Sequence, residues 1–364
     1  MSLSPDSFDL PSIGWDAQRA AEFTDDAARG LIPGRVSRVD RGRCSVLTPI
    51  GPLRAATTAL PRADAETAVV TGDWVALRLD GTAEVESVLP RRGAIYRASA
   101  DRTSRRQPLV ANVDTVVVAA ALTGRLRPSK VERLMALAWD AGATPLVVLT
   151  KSDLFDGDPR AAADELAGSM PGAEVIVISS LTGAGLDGIR SRLRGTTVVL
   201  GASGVGKSTL VNVLVGDERM DTGDVRTADD KGRHTTVTRE LIPIPGGGVL
   251  IDTPGLRGIG LQDADDGIEK VYADIDELAA SCRFADCGHR SEPGCAVRAA
   301  IDDGELGADR LARYERLLRE SRWAASRGDA REECRRRDEW KAITKQQRAD
   351  YRLRERNGNR RGRG

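Results

Sequence analysis

Two stretches of this chain hold residue types suited to nucleotide chemistry. The run Gly201-Ala202-Ser203-Gly204-Val205-Gly206-Lys207-Ser208, followed by Thr209, fits G-x-x-x-x-G-K-[ST] without a mismatch. Its glycines let backbone N–H groups close around phosphate oxygens, and the amino end of the helix that follows favours negative charge. Lys207 is expected to reach the β- and γ-phosphates, with the Ser208 hydroxyl on Mg2+. Asp252 ends the apolar strand in "GVLIDTPG" and is expected to serve the same Mg2+, while the Gly255 N–H is placed to sense the γ-phosphate. "KGRHTTVTREL" lies between these two segments, and either Thr235 or Thr236 can complete the Mg2+ shell in the triphosphate state.

The second stretch, Thr150-Lys151-Ser152-Asp153, is suited to choosing a base. The Asp153 carboxylate can accept hydrogen bonds from guanine N1–H and from the exocyclic amino group. Adenine offers an acceptor and no amino group at those places, so the charge would be left unpaired. Lys151 can lay its methylene stem along the base. Ser179-Ser180-Leu181 lies where a second loop offers backbone N–H to guanine O6. The usual first residue of the base-reading motif is Asn; Thr150 departs from it, and a weaker tie to the phosphate loop is expected.

In an ordinary GTPase the base-reading motif follows the phosphate loop, whereas here it comes first. A circular permutation accounts for this, because it keeps each strand in place and moves only the termini.

Cys282, Cys287, His289 and Cys295 form C-x4-C-x-H-x5-C. Three thiolates and an imidazole suit tetrahedral Zn2+, and four protein ligands leave no open position for catalysis, so a structural ion is expected. An odd total of five cysteines, three of them in this window, argues against a disulfide framework and for a reducing cytoplasm. Cys44 and Cys334 lack such neighbours and are read as simple thiols.

These groups need elements to position them. From Ile32 to Ala98, short alternating runs ("GRVSRVD", "CSVLT", "PLRAATT", "DWVALRL", "AEVESVL") predict five strands closing into a small β-barrel. An oligonucleotide-binding (OB-like) barrel is the first choice, against some other small β-barrel; the few aromatics here for stacking bases leave a purely structural barrel open. From Asn112 to Ile275, strands such as "VDTVVVAAAL", "TPLVVLT" and "TTVVL" alternate with helical segments. That alternation predicts an α/β P-loop domain with a mostly parallel sheet covered on both faces. The whole is read as multidomain: an N-terminal extension (1–31), the barrel (32–98), the permuted nucleotide domain (99–276), a zinc-binding helical domain (277–330) and a helical tail (331–364).

The 364 residues carry 54 basic and 54 acidic side chains, yet 331–364 holds thirteen Arg/Lys against six Asp/Glu. A neutral chain therefore ends in a basic segment, suited to nucleic-acid phosphates or to an ordinary solvated helix. The amino terminus lacks the basic start and apolar run of a secretory signal, and no apolar run approaches the roughly 18 residues of a membrane helix. Neither export nor a membrane partner is expected.

With "ANVDTVVV", "GASGVGKSTL", "GRHTT", "DTPG" and "CRFADCGH" in this order, the chain resembles the circularly permuted ribosome small subunit-dependent GTPase A proteins (RsgA type) over nearly its whole length. The resemblance implies a cytoplasmic GTPase that binds the small (30S) ribosomal subunit and its rRNA and assists late maturation. Ribosome-stimulated hydrolysis of GTP to GDP and phosphate would drive its own release. It also implies the same four zinc ligands. Where Ras-like enzymes carry a water-orienting Gln, this chain has Leu256. The resemblance assigns that task to His234. A monomer is expected. Two rival readings are an ATP-dependent kinase or ATPase, opposed by Asp153 and "SSLTG", and a nucleic-acid-binding module with a merely regulatory nucleotide site.

Overall fold

The computed structural model describes residues 8–60, 68–97, 107–123, 126–193, 195–216, 239–253 and 265–323. Two short helices, α1 (Ala17–Glu22) and α2 (Thr24–Ala28), lead into five strands: β1 (Ile32–Asp40), β2 (Arg43–Thr48), β3 (Gly51–Ala56), β4 (Trp74–Arg78) and β5 (Glu84–Val88). These close into a barrel in the order β1-β2-β3-β5-β4, with β4 returning antiparallel to β1 and a single parallel pairing between β3 and β5. Alternate residues point inward, so Val36, Cys44, Val46, Ala55, Val75, Leu77 and Val85 fill the small core. Gly34 permits the tight crossing on β1, since a Cβ there would strike the Val46 side chain. A bulge between Val36 and Arg38 bends β1 around the closure.

A hairpin, β6 (Ala94–Arg97) and β7 (Gln107–Ala111), follows the barrel. Then come β8 (Thr115–Ala121), α3 (Pro128–Asp140), β9 (Thr144–Thr150), α4 (Pro159–Gly168), β10 (Val175–Val177), α5 (Leu186–Arg190), β11 (Thr196–Gly201), α6 (Lys207–Val215), β12 (Glu240–Pro243) and β13 (Val249–Asp252). The sheet runs β10-β9-β8-β11-β13-β12, parallel except for the edge strand β12. Its central strands are apolar on both sides, as a covered parallel sheet requires. Val116 and Val118 face one core with α3, while Val117 and Ala119 face the other with α6. Both the strand alternation and the two-sided cover expected from sequence are present. The strand and helix nearest the sheet edge, β10 and α5, are shorter than their sequence runs suggest.

Buried polar groups join the barrel to this sheet. Arg19 donates to the Asn112 Oδ1 at 2.6 Å, and the Asn112 amide donates to the Gly72 carbonyl at 2.9 Å. Arg35, on β1, donates to the Ile13 carbonyl and the Thr196 hydroxyl at the start of β11, and lies 5.0 Å over the Trp74 ring. Burial pushes the Arg35 guanidinium down to about 10, which leaves it charged at neutral pH.

After the sheet, α7 (Asp265–Val271) and α8 (Ala273–Ala279) lead to the Cys/His loops, α9 (Ala296–Asp302) and a final helix α10 over 308–323. Gly267 lets α7 press on α3, because a Cβ there would meet the Ala136 carbonyl. Arg310 and Arg313 on α10 converge on Glu132 of α3, which is fully buried. Arg310 also pairs with Asp274 at 2.6 Å and donates to the Val271 carbonyl. Among the described residues no helix is long and apolar enough to cross a membrane.

Candidate nucleotide site and metal cluster

Ligands of an open parallel sheet bind outside the carboxyl ends of its strands. Three of the sequence-selected segments emerge there: Thr150-Lys151-Ser152-Asp153 from β9, the phosphate loop from β11, and Asp252 at the end of β13. β9 and β11 flank β8 on either side, so the permuted order still sets the two loops near each other.

In the phosphate loop, Gly204 and Gly206 have φ of 79° and 88°, conformations that side chains rarely adopt. Gly201 passes so close to β8 that a Cβ would strike the Ala119 carbonyl. Val205 is buried and anchors the loop, whereas Ala202, Ser203, Gly204 and Thr209 are exposed. Gly206 caps α6, which begins at Lys207 and Ser208. The Lys207 Nζ donates to the Ala202 carbonyl at 2.6 Å, curling the side chain back over its own loop. Burial pushes the Asp252 carboxyl up; Glu240 across the β12–β13 pair adds to this and the Thr253 N–H opposes it. A bound Mg2+ would reverse that direction.

The Thr150–Asp153 loop is tied to the Gly201–Ser208 loop. The Thr150 hydroxyl donates to the Val205 carbonyl at 2.6 Å, and Thr150 is buried. The tie to the phosphate loop is thus present despite the absence of Asn, made by a hydroxyl from the end of β9. Lys151 takes the left-handed conformation at φ 59°, and its stem lies against Gly206. Asp153 is exposed, and the buried Ser179 hydroxyl donates to it at 2.6 Å. The same hydroxyl accepts the Thr182 N–H at 3.1 Å, so the second loop is folded around Ser179. Sequence reading gave Ser179 only a backbone role, because a serine side chain two loops away from its partner leaves no local signal. Ser180 is half-buried and Leu181 is 82% exposed beside them. His234, Thr235, Thr236, Gly255 and Leu256 lie outside the described residues.

Two predictions follow from this geometry. Thr150→Val keeps the side-chain volume and leaves the Val205 carbonyl without its donor, so GDP and GTP affinity should both fall by about tenfold. Titration with fluorescent GDP and GTP checks this; unchanged affinities would show that the tie is idle. Asp153→Asn should weaken GTP by on the order of 10²-fold, since two bonds to a charged acceptor are lost. It should gain xanthosine triphosphate, whose carbonyl can accept from the new amide. Equal GTP affinity in wild type and variant would show that Asp153 does not read the base.

The second cluster is built by the loops around α9. The ligand atoms of Cys282, Cys287, His289 and Cys295 all lie within 4.8 Å of one another. His289 Nδ1 is 3.7 Å from the Cys282 sulfur and 3.5 Å from the Cys295 sulfur, and those two sulfurs are 3.9 Å apart. A tetrahedral zinc with bonds of about 2.3 Å to sulfur needs sulfurs roughly 3.8 Å apart, so the four residues fit such an ion. The Arg298 N–H donates to the Cys295 sulfur at 3.4 Å, the kind of outer bond that favours a thiolate. Cys44 is buried in the barrel core, where burial pushes its thiol up to about 12, and Cys334 lies outside the described residues.

A phosphate loop at the centre of a doubly wound sheet, with the base-reading strand preceding it in the chain, defines a circularly permuted P-loop GTPase. The RsgA GTPase family model matches residues 88–262. The chain is 50% identical over 337 residues to the "Small ribosomal subunit biogenesis GTPase RsgA" of Streptomyces coelicolor, covering 91% of this chain and 92% of that protein. It is 41% identical to the protein of the same name from Opitutus terrae, over 94% and 98% of the two chains. Among solved structures it resembles YjeQ from Thermotoga maritima, with a TM-score of 0.61, 25% identity, and 80% and 98% of the two chains covered. YloQ, described as a circularly permuted GTPase, gives a TM-score of 0.60. The chain belongs to the RsgA family and is a GTP hydrolase.

Proposed function

We propose that this GTPase binds the small (30S) ribosomal subunit, assists its late assembly in the cytoplasm, and leaves after hydrolysing GTP to GDP and phosphate. The observation that carries this reading is the 50% identity, over nine-tenths of both chains, with a protein named for small-subunit biogenesis. In the nucleotide-bound state, Gly201 to Thr209 and the Gly255 N–H hold the phosphates. Thr150 to Asp153 with Ser179 to Leu181 hold guanine. Ser208, Asp252 and one of Thr235 or Thr236 hold Mg2+, which would offset charge on the phosphates. His234 positions the water. Cys282, Cys287, His289 and Cys295 hold one structural Zn2+, supported by the spacing of their ligand atoms.

The chain acts as a monomer, and its basic segment 331–364 contacts rRNA. Its units have proposed boundaries near 31, 98, 276 and 330. Removing the basic segment should flatten the salt dependence of subunit binding; an unchanged slope would assign it to solvent. The test of the whole reading is GTP hydrolysis with and without purified small subunits. Strong stimulation is expected. Equal turnover in both, with no binding to the subunit, would overturn it.

A further inference from the structure

His289 is the one metal-cluster residue with a left-handed backbone, at φ 54°. A residue with a Cβ adopts this conformation at a cost of roughly 1–2 kcal/mol, so something must hold it there. Its neighbours are tied on both sides to a single carboxylate. The Gly288 N–H donates to Glu292 Oε1 at 3.0 Å, and the Arg290 and Ser291 N–H groups donate to Oε2 at 2.7 and 3.0 Å. The loop is thus wrapped around Glu292, and the bend puts His289 Nδ1 within 3.7 Å of two thiols. Gly288 fits the wrap closely, since a Cβ there would come 3.1 Å from Glu292 Oε1.

We infer that Glu292 is a positioning residue of the metal cluster, templating the 288–291 backbone so that the His289 imidazole is directed at the metal. It is no ligand itself, because both of its oxygens are engaged by backbone N–H groups. The inference rests on the zinc reading above. Without the carboxylate, three exposed N–H groups turn to water and the loop relaxes away from the left-handed bend. The imidazole would then no longer be directed at the metal, which Cys282, Cys287 and Cys295 would be left to hold with a solvent oxygen in its place.

The experiment uses the full chain, zinc-loaded. Zinc content is measured first, then zinc release to a chromogenic chelator, for wild type, Glu292→Ala, Glu292→Gln and Asp286→Asn. Asp286 is an exposed acid on the same cysteine loop and controls for loss of charge alone. Outer groups that orient metal ligands are typically worth about 10–100-fold in affinity, and Glu292→Ala should lose zinc faster by that order. Glu292→Gln, which keeps an acceptor oxygen, should fall between it and wild type, and Asp286→Asn should stay near wild type. Substituted with Co2+, the alanine variant should show visible bands shifted from three sulfurs and one nitrogen towards three sulfurs and one oxygen, a change that general loosening would not give. If the alanine variant does not fold, the glutamine variant carries the comparison. Release at the wild-type rate, or equal acceleration by Asp286→Asn, overturns the role of Glu292 and leaves the zinc reading standing. A wild type that binds no zinc removes both.

Discussion

Cys287→Ala is expected to abolish zinc binding and unfold the loops around 282–295 while GTP and GDP still bind. Metal binding by such clusters is worth on the order of 10–16 kcal/mol in isolated peptides, far more than the short loops can supply by packing. Between Cys282 and Cys295 most residues are exposed, and no regular element spans them. The unfolding should stop at α10, because Arg310 and Arg313 hold that helix to the buried Glu132 on α3 independently of any metal. Leu311 and Leu317 also belong to the apolar core shared with the sheet. Elemental analysis and hydrogen exchange check this: zinc should be absent, 282–295 should lose protection, and 308–323 should keep it. One zinc retained per variant chain would count against this ligand set.

The contrast between these two regions shows what the sequence makes legible. The Cys/His grouping, the glycine-rich loop and the sheet strands were readable because each depends on residue type at fixed local spacing. "VDTVVVAAAL" has no polar alternation because β8 is covered on both faces, and "GRVSRVD" alternates because barrel strands have one face inside. Glu132 is the opposite case. It sits in "SKVERLMALAWD" as an ordinary helix carboxylate, yet it is fully buried because its partners arrive from α10, late in the chain. The welding of barrel to sheet through Arg19, Arg35 and Asn112 was equally hidden, since each hydrogen bond joins residues far apart in sequence. The partner of Thr150 was hidden for a related reason: residue type alone does not say which group its hydroxyl reaches, and only the approach of β9 to Val205 shows it.

The other large effect is expected at His234, the residue proposed to place the attacking water. Leu256 follows Gly255 where a hydrogen-bonding side chain would orient water, and a leucine cannot do so. The free enzyme should therefore turn over slowly, and completion of such sites by a partner adds about 10³–10⁵-fold. Small subunits are proposed to supply that gain by bringing the His234 imidazole to the water. In the proposed reading the ground state does not need the imidazole, since binding is assigned to the phosphate loop, Asp153 and Asp252. His234→Ala should then keep GTP affinity and lose most of the stimulated rate, the pattern of an interaction made only in the transition state. The variant should also stay on the subunit with GTP bound, because hydrolysis is the proposed release signal. Single-turnover hydrolysis at saturating subunits separates chemistry from binding and release. A variant rate within about twofold of wild type would exclude His234 and assign the water to a group that the ribosome itself supplies.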